Sequence, residues 1–374
     1  MILHLVTDDK FADYAINQFS LIDPSSQFVF VKYSEDEKIQ NIKHVDKIIQ
    51  VTFQSEKYED LIKGLENYSA IVVHGLFYPW QEKIILSLPA NVKVAWVCWG
   101  GEIYGRKQLL PHFLRKKTKQ IYWQKQFKRF LKSKKLLGND YFADISTFQR
   151  INFCLSDMQE EFQYVREFSH SKMRYFWYNY YSIEETLGDL QNKKNNGNNI
   201  LVGNSCTLEN NHLDAFKLLN ALNIQNRKII VPLNYGSDWL QKIVLRKGEK
   251  LFGTLFNPLV TFMNRDEYNQ LIGTCSIMIM PHLRPQAQGN IITGLWLGAK
   301  IYLSKNSLTY TYFKRIGTIV FSIEDDLKSG NNECLTALSD DKIEHNRTIM
   351  LREYGRENMM LRIKEIVTEL NRTE

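Results

Sequence analysis

Short apolar, β-branched runs recur along the first half of this chain, with stretches of helical spacing between them. They are Ile2 to Val6, Phe28 to Val31, Ile48 to Val51, Ala70 to His74, Val94 to Trp99 and Ile151 to Leu155. Strands buried on both faces read as continuous hydrophobic runs, and helix-connected strands of that kind form parallel sheets. The spacing therefore predicts a first parallel sheet. The stretch Gln191 to Asn199 is polar and Asn-rich, offers nothing to anchor a core, and reads as a linker. The rhythm then restarts with Ile200 to Val202, Ile229 to Leu233, Leu259 to Met263, Ile277 to Met280, Ile301 to Leu303 and Ile319 to Phe321, predicting a second sheet.

Near-helical spacing of Ile349, Met350, Tyr354, Met359, Met360, Ile363, Ile366, Val367 and Leu370 predicts one or two amphipathic helices after it. The expected organisation is a first domain over residues 1–190, a linker over 191–199, a second domain over 200–345 and a helical segment over 346–374. Both domains are expected to be α/β, doubly wound and Rossmann-like. They are expected to face each other across a ligand cleft, since open parallel sheets bind at the carboxyl ends of their strands.

Composition narrows this picture without changing it. A length of 374 residues suits two domains of ordinary size, and 44 % hydrophobic residues exclude wholesale disorder. The five cysteines are scattered and never form a CxxC pair, which argues against a disulfide framework or zinc site and fits a reducing cytoplasm. Met1 to Val6 reaches Asp8 and Asp9 before a long apolar run can form and has no basic leader, so no signal peptide is expected, and no uncharged run reaches the length of a membrane span. Any membrane contact is expected to be peripheral.

Charge changes the picture more. Between Arg106 and Lys135 lie twelve Lys or Arg and no acid, so a net charge of +7 leaves the remaining chain at −5. Leu109, Leu110, Phe113, Leu114, Ile121, Tyr122, Trp123, Phe127, Phe130 and Leu131 are threaded through these cations. Such a segment suits an anionic lipid headgroup layer, and each Lys or Arg near that surface contributes about 1 kcal/mol. A nucleic-acid contact is the reading from another class, because cations with interleaved aromatics also suit a phosphate backbone and stacked bases. No zinc-finger, RRM or KH signature accompanies the segment, and nucleic acid is not the expected partner.

Candidate chemistry lies at the strand exits. Gly203, Asn204 and Ser205 follow an expected strand and precede a helical stretch, an arrangement whose free N–H groups and helix dipole favour phosphate, although an ordinary turn with Asn or Ser capping the helix accounts for three such residues slightly better. Tyr235 and Gly236 leave another strand; Tyr235 could stack on a base and Gly236 permits close backbone approach, although a plain turn accounts for them equally well. Arg284, Gln286, Gln288, Gly289 and Asn290 follow Ile277 to Met280. Arg284 can pair with a phosphate, the glutamines can bond a sugar or base edge, and Gly289-Asn290 can open a helix on a diphosphate. In the first half, Asp9 and Glu102 follow a strand and His74 ends one; each is a candidate general base, with Gly100-Gly101 bending the backbone ahead of Glu102, although a lone strand-end histidine is more often a satisfied core residue. No P-loop, GxGxxG, GxSxG, HExxH or Asp-x-Asp pair occurs, so a metal-independent reaction is expected.

Six segments together resemble the bacterial 4-acetamido-4,6-dideoxy-galactose transferases. These enzymes add that sugar from its dTDP donor to lipid-linked intermediates of enterobacterial common antigen. The segments are His4 to Asp9, His74 to Pro79, Trp96 to Tyr104, Ile200 to Ser205, Ile229 to Gly236 and Arg284 to Gly289. The chain departs from the pattern at Glu102, where the family often has Asp, and at Gly289-Asn290, which is less glycine-rich. The resemblance implies a GT-B glycosyltransferase with a nucleotide-sugar donor, dTDP-linked, on the second domain and no required cofactor or metal. It implies a polyprenyl-diphosphate-linked saccharide acceptor on the first domain, whose basic segment docks on the inner face of the cell membrane. Arg284 and the helix start near Asn290 would neutralise the leaving diphosphate, and Glu102, Asp9 or His74 would take the acceptor's proton. Within this class a UDP-sugar used for capsule or lipopolysaccharide is the alternative donor.

Overall fold

The structure, a computed structural model, describes residues 1–131, 141–222, 224–328, 330 and 332–372. Seven strands, β1 (Ile2–Val6), β2 (Gln27–Lys32), β3 (Ile48–Thr52), β4 (Ala70–His74), β5 (Lys93–Val97), β6 (Phe153–Ser156) and β7 (Arg174–Trp177), form a parallel sheet in the order β3-β2-β1-β4-β5-β6-β7. Six more, β8 (Asn199–Val202), β9 (Ile229–Pro232), β10 (Phe256–Leu259), β11 (Cys275–Met280), β12 (Lys300–Leu303) and β13 (Phe321–Ser322), form a second parallel sheet in the order β10-β9-β8-β11-β12-β13. Every residue of β1, β4 and β11 is buried, which is why these strands read as unbroken apolar runs. In each sheet the strand order reverses beside its first strand, between β1 and β4 and between β8 and β11. The exits flanking such switch points are where doubly wound sheets place ligands.

The helices that bear on the candidate sites are α1 (Ala12–Ile22), α2 (Gly101–Tyr104), α3 (Lys116–Leu131), α4 (His212–Leu219), α5 (Gln288–Leu297), α6 (Asp340–Tyr354) and α7 (Arg356–Asn371). The α/β, doubly wound class read from the sequence is the observed one. Three strands differ in detail. β7 was not expected, because Arg174-Tyr175-Phe176-Trp177 is a half-exposed edge strand rather than an apolar run. β10 ends at Leu259, where the expected strand began. It is an edge strand that tolerates Pro258, and the apolar residues beyond it reach solvent, Phe262 being 85 % exposed. β13 is two residues long and starts at Phe321, where the expected strand ended.

The chain divides into two compact units, whose boundaries differ from a simple N-terminal and C-terminal split. One holds the described residues of 1–106, 139–182 and 356–374, the other those of 107–138 and 183–355. Residues 191–199, expected as a linker, lie within the second unit: Asn195 and Asn196 donate backbone N–H bonds to the carbonyls of Leu297 and Gly273, and Asn199 opens β8. The expected 346–374 segment is two helices in different units. α6 packs against α5 in the second, while Ile363, Ile366, Val367 and Leu370 of α7 join Ile16 and Phe19 of α1 in the first unit's core.

The basic segment was assigned to the first domain, and here too the structure differs. α3 packs on α4, and Ile121 touches the core of the second unit. The Asp214 carboxylate of α4 accepts the N–H groups of Lys117 and Thr118 at 2.8 and 2.9 Å and the Thr118 hydroxyl at 2.9 Å, capping the first turn of α3. Thr118, Tyr122 and Gln126 repeat every four residues and form the buried face. Trp123, Phe127, Phe130 and Leu131 lie on the opposite side and are exposed, Phe130 by 72 %. Lys132, Lys134 and Lys135 of that segment lie outside the described residues.

Candidate functional site

In the first unit the exits of β1, β4 and β5 carry the three acid–base candidates, and the structure gives each a different setting. Asp8 is a loop anchor: its carboxylate accepts the N–H groups of Gln40 and Asn41 at 2.7 and 2.8 Å. Asp9 accepts the Thr7 hydroxyl at 2.5 Å and the Phe11 N–H at 2.6 Å. Burial pushes its carboxyl up to about 6 against these bonds, which pull it down.

His74, the last residue of β4, is fully enclosed. Its Nε2 lies 3.1 Å from His4 Nδ1, and its Nδ1 lies 2.9 Å from the Tyr180 hydroxyl. Burial lowers it to about 3, so it is neutral and both its nitrogens are engaged. Such a histidine orients its neighbours rather than receiving a substrate proton. Tyr180, which also receives the Trp99 indole N–H at 2.9 Å, was not foreseen.

Glu102 has the setting of a general base. β5 ends at Val97, Gly100 turns the chain at φ +81°, and Glu102 sits in the first turn of α2. A Cβ on Gly100 would meet the Tyr104 ring at 3.1 Å, so glycine serves both the turn and the close packing. Oε1 of Glu102 accepts the Trp96 indole N–H and the Trp99 backbone N–H, each at 3.1 Å. Oε2 is buried and has no partner within the protein. Burial raises the carboxyl to about 7, opposed by the N–H groups around it. A carboxyl poised there exchanges protons readily near neutral pH. Glu102 and Asp9 both act electrostatically on Tyr180, and Trp99 packs on Phe11 and Phe77 at ring separations of 5.1 and 5.5 Å.

In the second unit the β8 and β11 exits gather some of the predicted residues and not others. Asn204 donates to the Tyr235 hydroxyl and accepts from the Gln286 amide, each at 3.3 Å, so these three residues share one polar group. The Gly203 N–H bonds the Ile279 carbonyl at 2.9 Å, and the Asn204 N–H bonds Asn210 Oδ1 at 2.8 Å. These two N–H groups are thus committed internally, contrary to the expectation of free donors there. Fully buried Asn210 also binds the Ser205 hydroxyl at 2.8 Å and is the residue that shapes this loop.

Gly236 has a structural reason to be glycine. At φ +123° its Cβ would stand 2.3 Å from the Cys206 carbonyl oxygen, within a strand-like pairing of residues 206 and 236. Arg284 donates from Nε to Glu209 at 3.2 Å, both side chains being largely buried. Gln288 and Asn290 bond the hydroxyls of Tyr354 and Tyr268 at 2.8 and 2.9 Å, so their side chains are engaged with residues other than Asn204. Their backbones matter instead. α5 starts at Gln288, and its first N–H bond runs from Ile291 to the Ala287 carbonyl. The N–H groups of Gln288, Gly289 and Asn290 thus open the helix, with the positive end of its dipole.

Arg115 was missed as a member of this region. It reaches the Pro281 carbonyl at 3.1 Å and Glu324 at 2.5 Å, while its own N–H bonds Asn211 at 2.7 Å. Its place in the basic run gave it no separate signal. Among the described residues, no group of three His, Cys, Asp or Glu could hold a metal ion, and no helix is long and apolar enough to cross a membrane.

The sequence model of a family described as 4-alpha-L-fucosyltransferase, glycosyl transferase group 56, matches residues 25–331. No curated protein matches the sequence. Among solved structures, a glycosyltransferase from Rickettsia africae ESF-5 is similar with a TM-score of 0.65 at 12 % identity, covering 100 % of this chain and 99 % of that one. Anabaena HepE, solved with UDP and glucose, has a TM-score of 0.62 at 10 % identity and 98 % coverage of both chains. An alpha,alpha-trehalose-phosphate synthase (UDP-forming) from Burkholderia xenovorans, solved with glucose-6-phosphate, has a TM-score of 0.60 at 9 % identity, covering both chains fully at 100 %. At such identities the likeness is one of fold, the GT-B architecture of two parallel-sheet α/β domains.

Proposed function

This chain belongs to the 4-alpha-L-fucosyltransferase family, glycosyl transferase group 56, and from that premise we propose the reaction of a deoxyhexosyl transferase acting on a lipid-linked saccharide. The carrying observation is the family match over residues 25–331 on a glycosyltransferase fold. Fucose is a 6-deoxyhexose, so the family description supports a donor sugar lacking the 6-hydroxyl. The likeness of the six strand-exit segments adds the 4-acetamido group, the dTDP carrier and the polyprenyl-diphosphate-linked acceptor to this reading.

The second unit takes the donor in this reading. Asn204, Tyr235 and Gln286 form a polar group suited to a nucleoside, and the N–H groups of Gln288 to Asn290 suit a diphosphate. Arg284 would exchange its Glu209 partner for the diphosphate, neutralising the leaving group. In the first unit Glu102 takes the acceptor hydroxyl's proton as that oxygen bonds the anomeric carbon and the nucleoside diphosphate departs. α3 lays its aromatic face on an anionic leaflet at the cytoplasmic side, where the acceptor's lipid resides.

A UDP-sugar donor is the second reading, favoured by the likeness to HepE, also solved with UDP-glucose. A thermal-shift series with dTDP, UDP, GDP and ADP separates the two, because a ligand that binds only the folded protein raises its Tm. The largest shift is expected from dTDP. A larger shift from UDP selects the second reading, and no shift from any nucleotide refutes the donor site.

A further inference from the structure

Two imidazoles at the second sheet's switch point are left incomplete by the protein itself. His212 opens α4, and His282 follows Pro281 beyond β11; each is only 2 % exposed. Neither ring nitrogen of His212 has a hydrogen-bond partner, and neither does Nε2 of His282. Buried donors and acceptors are almost always paired, and an orphan calls for a ligand, an ion or an ordered water to complete it.

Their surroundings say which. A Cβ on Gly203, which lies at φ +68°, would stand 3.0 Å from His212 Nε2, so the edge of the imidazole faces the glycine loop at the β8 exit. His282 feels the charges of Arg284 and Arg115 and the ring of His212, which places all four side chains in one neighbourhood. Glu209 and Glu324 already balance the two arginines. Burial lowers His212 to about 3 and His282 well below its ordinary range, so both rings are neutral, with one N–H each. We assign that proton to Nε2 in both rings, the tautomer that points a donor from His212 towards Gly203.

We propose that His212, beside Gly203, and His282 bind the donor's diphosphate, each giving an Nε2–H hydrogen bond to a phosphate oxygen. The inference rests on the reading of the second unit as the donor-binding one. Neutral donors complement Arg284, which supplies the charge in the proposed reaction: they orient the anion without adding further charge that must be desolvated. Gly203 itself has no room for a side chain, since any Cβ would crowd both Asn210 Oδ1, at 2.6 Å, and the His212 ring.

The test uses the full chain and three probes, inorganic pyrophosphate, dTDP and UDP, with calorimetric titration of wild type, His212→Leu, His282→Leu, His212→Gln and His212→Asn. Glutamine sets an amide N–H near the place of Nε2, whereas asparagine reaches only the place of Nδ1. Each leucine variant is expected to weaken pyrophosphate binding about tenfold or more, His212→Gln to stay within about threefold of wild type, and His212→Asn to behave like the leucine variant. The ring-nitrogen NMR resonances of His212 and His282 in the wild type are expected to shift as pyrophosphate saturates. Wild-type pyrophosphate affinity in a folded His212→Leu variant, or ring resonances that do not move at saturation, overturns the inference and leaves the transferase reading standing. If the wild type binds none of the three probes, the donor-site reading falls and this inference falls with it.

Discussion

Glu102, the general base in the reaction proposed above, is a buried carboxyl whose protonation the fold controls. Its carboxyl is raised from 4.5 to about 7 by burial, so the folded protein holds a proton that the unfolded chain releases. The stability it contributes is complete below about pH 4.5 and is lost as pH rises through 7. Glu102→Gln, which stays neutral, is therefore expected to unfold at a higher Tm than wild type near pH 8 and at the same Tm near pH 4.5. The gain is on the order of 3 kcal/mol at the alkaline end. Turnover in that variant is expected to fall roughly 100-fold or more with nucleotide binding retained, and normal turnover would move the base to Asp9. The sequence could point at Glu102 because two glycines precede an acid at a strand exit. It could not separate Glu102 from His74. The pairings that occupy His74 join residues 70 and 106 positions away, and no local pattern encodes them. His212 was hidden for a similar reason, since a histidine at a helix start gives no sign of what faces it.

At the scale of elements, the strands buried on both faces were legible because burial imposes apolar residues at every position. Edge strands β7 and β10 were not, because one side faces solvent and the composition relaxes. α3 shows a third case. Its cations announced a surface helix, but its partner is set by Asp214, nearly a hundred residues away in sequence. Replacing Trp123 and Phe127 with Glu is expected to abolish co-sedimentation with anionic vesicles and to shift stability by no more than about 0.5 kcal/mol, since both side chains are exposed. Retained vesicle binding would remove α3 from the membrane reading. Asp214→Ala, by contrast, should cost about 1 kcal/mol in a denaturant titration through loss of the cap.

Across the whole molecule, two parallel sheets and their order along the chain were legible, while the membership of the units was not. Composition alone cannot tell that residues 107–131 join the second unit or that α7 returns to the first. Those assignments depend on which apolar face meets which, such as Ile366 and Leu370 entering the core that holds Phe19. Ile366→Ala is expected to destabilise the protein by about 2–5 kcal/mol, with limited proteolysis increasing first in residues 1–106 rather than in 183–355. Cleavage confined to 183–355 would contradict the shared core.

That last helix also fixes an order of events at the ribosome. Domains generally fold as they emerge, N-terminal ones first, yet the first unit here lacks α7 until residues 356–371 have been translated, after all of the strands of the second sheet. The earlier-made unit should therefore mature later, with the apolar face of α1 that α7 covers left bare in the nascent chain throughout synthesis of the second. Released chains truncated after residue 355 should be digested within 1–106 and spared within 183–355, whereas chains that include α7 should resist in both.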